Sequence, residues 1–329
     1  MRPHTPTLYA LATLAIVTLA PAWASAANPT ALLKYAPKDS GVIAGFDGAA
    51  SRSSASFKEG FKLIKRDSNV RKVVRTLKKE LDFDVSKDLD TGLFAAPALS
   101  GTGRTASRAF TLVVSGKIDR AAAEARLAKN GEKSTIAGLS VFSTSKGATV
   151  RFLDDNTVVI IAGKDAYKKG AWATVAGKAK GADSGAALDD ELSRLDTSKH
   201  VWLAANTRKL KQPSGSTLKN VALAIDLSSG IKLASTIVMG SAGEVTGAIG
   251  TFEDNRFKSS MLLAAFSAHP LINNANLSGS GSTLTLATSM SDTQVRAVGA
   301  RVREIDEQKR LQREEAKRKA KEAEANSAE

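Results

Sequence analysis

The chain has 329 residues, 43% hydrophobic and 24% charged, which are ordinary globular values, and it contains no cysteine. Disulfide stapling, thiol catalysis and cysteine-ligated zinc are therefore excluded, as is lipid attachment at an N-terminal cysteine. The formal charge of +14 at pH 7 calls for an account, either as an anionic partner or as a highly charged solvated surface.

The first residues, "MRPHTPTLYALATLAIVTLAPAWASAANPT", place Arg2 ahead of an apolar run and end it with the small-residue pattern Ala24-Ser25-Ala26. This predicts a signal peptide over residues 1–26 and export to the periplasm or beyond. The apolar run, residues 8–20, is shorter than the roughly 20 residues that span a bilayer, and no later stretch approaches that length, so no transmembrane segment is expected in the mature chain. About 300 residues remain, a length that suggests two domains.

In chain order, "GVIAGFD" reads as a strand entered through the turn "APKDS". "SSASFKEGFKLIKR" follows as a helix with Phe57, Phe61 and Ile64 on one face. Val70, Val73, Val74, Leu77 and Leu81 then recur at i, i+3, i+4, i+7 and i+11, which predicts a second helix with Ser68 as its N-cap. Strands "GLFAAPAL" and "AFTLVVSG" lead to the helix "DRAAAEARLAKNG", marked by Asp119 at its start and Gly131 at its stop. A meander comes next: "LSVFSTS", a turn at Lys146-Gly147, "ATVRFLD", a turn at Asp155-Asn156, and "TVVIIAG". Asp165 is placed to cap a helix "AYKKGAWATVAG", and the small, polar residues 177–187 read as a flexible linker.

After it the pattern repeats. "ELSRLDTSKHVWLAANTRKL" has the shape of "ALLKYAPKDSGVIAGFDGAA", and "STLTLATSMSDTQVRAVGARV" that of "NTVVIIAGKDAYKKGAWATV". Between them lie a hairpin around Ser228-Ser229-Gly230 and a long helix opened by a Ser241/Glu244 capping box and ended near His269-Pro270. The expected architecture is α+β, with two similar halves over residues 29–180 and 186–303. Each half is an antiparallel sheet with helices packed on one face, and a charged helical or frayed tail follows over residues 304–329.

Candidate chemistry is sparse. Beyond the leader the only histidines are His200 and His269, so a three-histidine zinc site is impossible, and His200 is expected on the solvent side of its strand. Asp154 and Asp155 join two apolar runs as a hairpin rather than pairing for catalysis, and Gly163-Lys164 lacks the first glycine of a phosphate loop. "SGTGRTAS", residues 100–107, is glycine-rich but lacks dinucleotide spacing. Asp88 with Asp90, Asp189 with Asp190 and Glu191, and Asp39 with Asp47 are the carboxylate groups a hydrolase could draw on. No catalytic, metal or cofactor-binding residue is assigned.

The charge is concentrated instead. Between residues 58 and 80 stand Lys58, Lys62, Lys65, Arg66, Arg71, Lys72, Arg75, Lys78 and Lys79 against only Glu59, Asp67 and Glu80, a local net of +6. The tail from residue 301 carries nine basic and eight acidic residues and nearly cancels. Export removes nucleic acid as a partner, which leaves an anionic envelope surface, or an envelope protein, for the basic helix.

The stretches "LLKYAPKDSGVIAGFDGAASRSSASFKE", "LDFDVSKDLDTGLFAA" and "VRFLDDNTVVIIAGKDA" together resemble a group of exported bacterial proteins of unknown function. Their halves open with a Pro, Asp or Ser turn into a strand and later show a Leu-Asp-Asp hairpin. The resemblance implies an α+β fold and transfers no catalytic residue. The sequence thus points to a non-enzymatic envelope protein that binds or scaffolds. The alternatives are a carrier of an apolar ligand held between sheet and helices, and a carboxylate-dependent hydrolase.

Overall fold

The computed structural model describes residues 28–97, 110–144, 147–185, 187–207 and 218–326. The expected leader, the glycine-rich stretch 100–107 and Lys146 lie outside these residues.

A short 3₁₀ segment, Pro29–Tyr35, leads into β1 (Ser40–Asp47). Then come the helices α1 (Gly48–Ser51), α2 (Ala55–Ile64) and α3 (Ser68–Leu81), the strands β2 (Leu89–Pro97) and β3 (Phe110–Gly116), and α4 (Arg120–Asn130). A meander of β4 (Glu132–Ile136), β5 (Leu139–Ser143), β6 (Ala148–Phe152) and β7 (Thr157–Ala162) completes the first part. Two short helices, α5 (Lys169–Trp172) and α6 (Asp189–Ser193), precede β8 (Val201–Asn206), β9 (Asn220–Asp226) and β10 (Ile231–Val238). The long helix α7 (Ala242–Ala264), α8 (Pro270–Asn273), β11 (Asn276–Ser280), β12 (Thr283–Met290) and α9 (Asp292–Asn326) follow.

The α+β expectation holds: helices accompany one large antiparallel sheet. The strands of the two expected halves do not form separate sheets, however. All twelve join in the order β11-β12-β10-β9-β8-β1-β2-β3-β7-β6-β5-β4. The seam is β1 against β8, with Ala44 opposite Leu203 and Gly45 opposite Trp202. It works because Gly45 has no side chain. A Cβ there would lie 2.2 Å from the Trp202 ring, so the indole lies across the strand where any other residue would stand.

Alternation along the strands separates two faces. On the helical face Phe46, Val114, Phe152, Val158 and Ile160 pack with Phe57 and Phe61 of α2, Leu77 and Leu81 of α3, and Leu127 of α4. Each fully buried side chain of this kind contributes about 1.5–3 kcal/mol. The same face continues under α7. Leu284 pairs Ile237, Ile237 pairs Val221, and Gly279, opposite Leu284, lies against Val245 and Ile249 of α7.

Helices on one face are only part of the cover. On the opposite face Ile43, Leu93, Val113, Val159, Ile161 and Trp202 are sealed by Leu32, Leu33 and Ala36 together with Ala166, Trp172, Ala182 and Leu188. Gly181 and Ala182 therefore fasten the expected linker against this layer, although the other described residues of 177–187 are exposed. The backbone N–H of Ala182 donates to Leu33 O at 3.1 Å and Ala36 O at 2.9 Å, an approach that the small residues Gly181 and Ala182 permit. Trp172 anchors this layer through Nε1–H bonds to Ala166 O at 2.9 Å and Thr149 Oγ1 at 3.2 Å. The helix expected over "AYKKGAWATVAG" shrinks to α5, uncapped by Asp165, because Gly170 and Gly177 weaken it and the chain turns to bury Trp172. Ala222 and Ala224 of β9 are still buried on this second face, but over β10 and β12 it is bare, with Lys232, Ala234, Thr285 and Ala287 exposed.

Candidate anionic-surface site

The helices α2 and α3 are held on the sheet by their apolar stripe, and this turns their lysines and arginines outward. Ser54 caps α2, its Oγ accepting from Phe57 N at 3.0 Å, and Ser56 at the second helical position is fixed to Asp292 of α9 at 2.5 Å through Oγ–H. Helix α3 begins at Ser68 itself, one residue before the expected start, with Arg71 N–H donating to Asp67 O at 3.0 Å. It ends on Asp82, whose φ of 54° is the left-handed conformation an aspartate tolerates.

Eight of the nine cations singled out from the sequence, Lys58, Lys62, Lys65, Arg66, Arg71, Arg75, Lys78 and Lys79, are exposed, and Lys72 is carried on the same helix as the last four. They divide into two sets. Lys62 meets Glu59 at 2.7 Å, Arg66 meets Asp306 of α9, and Lys78 meets Asp82 at 2.7 Å. Lys79 approaches the buried Glu80 at 4.0 Å. Lys58, Lys65, Arg71 and Arg75 form no ion pair among the described residues; Lys65 instead lies over the Phe61 ring at 4.8 Å. Hydrogen bonds from Lys78 and Arg126 hold Asp82 down to about 2, and bonds from Lys62 and Arg303 hold Glu59 below the usual carboxylate range. The carboxylates of this surface thus stay ionised, and the net excess remains positive.

Most members of the other candidate groups have local hydrogen-bond or ion-pair partners. Asp154 Oδ1 accepts from Asn156 N at 2.8 Å inside the β6–β7 turn and Asp155 meets Arg120 at 3.3 Å, so the pair is a hairpin corner, as its sequence predicts. Asp88 accepts from Asp84 N at 2.7 Å, and Asp90 meets Arg52 at 3.0 Å. Burial is the largest influence on both members of that ion pair, raising the pKa of Asp90 and lowering that of Arg52 against their mutual attraction. Asp47 caps α1 through Ala50 N at 3.0 Å, and Asp189, Asp190 and Glu191 form the first turn of α6. Among the described residues no group of three His, Cys, Asp or Glu is placed to hold a metal ion.

His200 is not on the solvent side, as expected from its strand. Nδ1 accepts from Leu227 N at 3.1 Å beside Asp226 Oδ1 at 3.3 Å, and burial lowers its pKa despite Asp226. It shares its phase with Trp202, and β8 is buried on both faces, so lying out of phase with Val201 and Leu203 does not turn it to solvent. Surface hollows of about 610 and 600 Å³ lie beside Lys38, Asp39 and Lys180 and across the bare face of β10 and β12 next to Ala224 of β9. Neither is lined by α2, α3 or α7. Among the described residues no helix is long and apolar enough to cross a membrane.

No family model matches the chain, and no curated protein matches it. Among solved structures it is similar to crystal form I of TP0453, with a TM-score of 0.47 and 12% identity over 85% of this chain and 99% of that one. Crystal form III of TP0453 gives a TM-score of 0.48 and 12% identity over 82% and 97% of the two chains.

Proposed function

We propose that the chain is an exported, non-enzymatic envelope protein that binds phosphate-bearing anionic surfaces, lipid headgroups or lipopolysaccharide, through α2 and α3. The observation that carries this reading is the set of exposed cations Lys58, Lys65, Arg71 and Arg75 without ion-pair partners among the described residues. A salt-bridged face would contribute little to an external partner, because its charges are already met, whereas each free lysine or arginine near an anionic bilayer contributes about 1 kcal/mol. The signal-like leader and the resemblance to exported bacterial proteins support the location. The apolar-carrier reading has less support, because the two hollows described above are open and bordered by charged side chains. The hydrolase reading has less still, since Asp47, Asp88 and Asp90 are engaged in caps, loop bonds and an ion pair.

An internal duplication fits the strand order. Outward from the seam, β1-β2-β3-β7-β6 and β8-β9-β10-β12-β11 run in step, with α4 and α7 at corresponding crossings. These positions match the sequence stretches that resemble one another.

The test is sedimentation with phosphatidylglycerol vesicles over a range of salt. Binding should weaken steeply as salt rises, and Lys58→Glu, Arg71→Glu and Arg75→Glu together should lower it by about a hundredfold at low ionic strength. Equal binding to neutral phosphatidylcholine vesicles, or no change in the triple variant, contradicts the reading.

A further inference from the structure

Helix α7 presents apolar side chains in two directions. Toward the sheet it buries Val245 and turns Ile249 and Phe252 inward. Away from the sheet its last turns expose Phe257 (74%), Met261 (61%) and Leu262 (73%), and the turn that follows exposes Phe266 (46%). Single exposed apolar residues are common, but four large ones within ten positions at one helix end form a patch of the kind that marks an interaction site. An apolar helix surface of this width is stable in water only when something covers it. The segment "RKLKQPSGST", residues 208–217, carries one large apolar residue in its sequence and is not suited to do so.

The position of Lys258 distinguishes the possible covers. At 100° per residue it lies on the outward arc between Phe257 and Met261 on one side and Leu262 on the other, with Asp254 one turn back on the same arc and Phe266 just past the helix end. In a twofold contact between two copies, the patch would bring two lysines into one apolar interface, each offset at most by Asp254 of its own helix, and ions buried in such a seam cost more than they return. At a bilayer surface the same lysine extends to the phosphates while its neighbours enter the boundary between headgroups and acyl chains. The patch also lies on the helical side of the sheet, the side on which α2 and α3 display their cations. Arg301 of α9 sits at its end, bonded through Nε–H to Ala265 O at 3.0 Å.

We propose that α7 seats Phe257, Met261, Leu262 and Phe266 in the interfacial layer of an anionic lipid bilayer, with Lys258 at phosphate level. This rests on the headgroup-binding reading and extends it, since the cations of α2 and α3 would bring the protein to the surface and α7 would hold it there.

The experiment uses the full chain carrying Phe257→Trp and vesicles of phosphatidylglycerol with brominated acyl chains. The parent chain is the blank, because Trp172 and Trp202 are wholly buried and Trp23 is common to both. The proposal expects bromine quenching of the added tryptophan. It also expects Met261→Gln with Leu262→Gln, which add no charge, to lower partitioning by about tenfold or more while leaving the salt dependence unchanged. Absence of added quenching, or unchanged partitioning of the double variant, overturns it. So does a double variant that turns a dimer into a monomer in light scattering and still binds vesicles, since a second copy would then be the occupant. Arg71→Glu with Arg75→Glu separates the two readings: it must flatten the salt dependence if headgroup binding is right, whatever α7 does.

Discussion

The middle of the sheet and its β11 side are built differently. In β1 and β7 nearly every residue is buried, because α2 to α4 cover one face and Leu32, Leu33 and Ala36 with Ala166, Trp172, Ala182 and Leu188 cover the other. In β10 and β12 burial falls away on alternate residues, because only the face under α7 and α8 is packed. The strand sequences reflect this. "SGVIAGFD" and "TVVIIA" are continuous apolar runs suited to double burial, whereas "IKLASTIV" and "TLTLATSM" alternate with lysine, serine and threonine. The difference teaches that the stability of this molecule is concentrated where two layers close on the sheet. Its outward chemistry lies on the helices of the shared face.

The largest expected effect tests that concentration. Trp202→Ala at the seam should cost about 3–5 kcal/mol, read as a fall in the denaturant midpoint, whereas Lys232→Ala on the bare face should stay within about 0.5 kcal/mol. Comparable losses at both positions would erase the distinction between the two regions. Next in size, Gly45→Ala forces a methyl group into the Trp202 ring and should cost about 1–3 kcal/mol. A variant as stable as the parent would show that the seam is looser than described.

A smaller effect concerns pH. Burial lowers the pKa of His200 in the folded chain, so between that value and the ordinary 6.5 the unfolded chain binds the extra proton. Stability should therefore fall as pH drops below about 6.5, and His200→Gln should remove that part of the slope in a melting series. An unchanged slope would mean that Asp226 offsets the burial. Least of all, Asp82→Asn keeps the left-handed helix stop but loses the pairs to Lys78 and Arg126. Because the folded pKa of about 2 lies below the ordinary 3.8, the stabilisation from this carboxylate is present above about pH 4 and fades toward pH 2, so the variant should flatten the acid limb of the same series slightly.

Local chemistry made much of this legible in the sequence. The Asp119 cap of α4, with Oδ1 accepting from Ala122 N at 3.0 Å, and the Ser241/Glu244 start of α7 were recognisable because a cap is specified by two or three adjacent residues. The β6–β7 corner at Asp154-Asp155-Asn156 was recognisable for the same reason. Elements whose partners are distant were not. β4, "EKSTI", and β11, "NLSGS", are edge strands with too little apolar content to show a period, and pairing with β5 and β12 defines them. The packing of Gly181 and Ala182 depends on Leu33 and Ala36, far back in the chain. At the candidate site the cations could be counted from sequence, but which of them remain unpaired depends on Asp306 and Arg303 arriving from α9. The outward patch of α7 was hidden because its helix is apolar in both directions, so no single stripe stands out.

Lysine footprinting on the unmodified chain tests the central claim most directly. Acetylation would be followed residue by residue with and without phosphatidylglycerol vesicles. If the helical side meets an anionic bilayer, Lys58, Lys65 and Lys258 become protected while Lys232, on the opposite bare face, reacts as before. Protection of Lys232 with Lys58 and Lys65 unchanged, or no protection anywhere, would contradict the account.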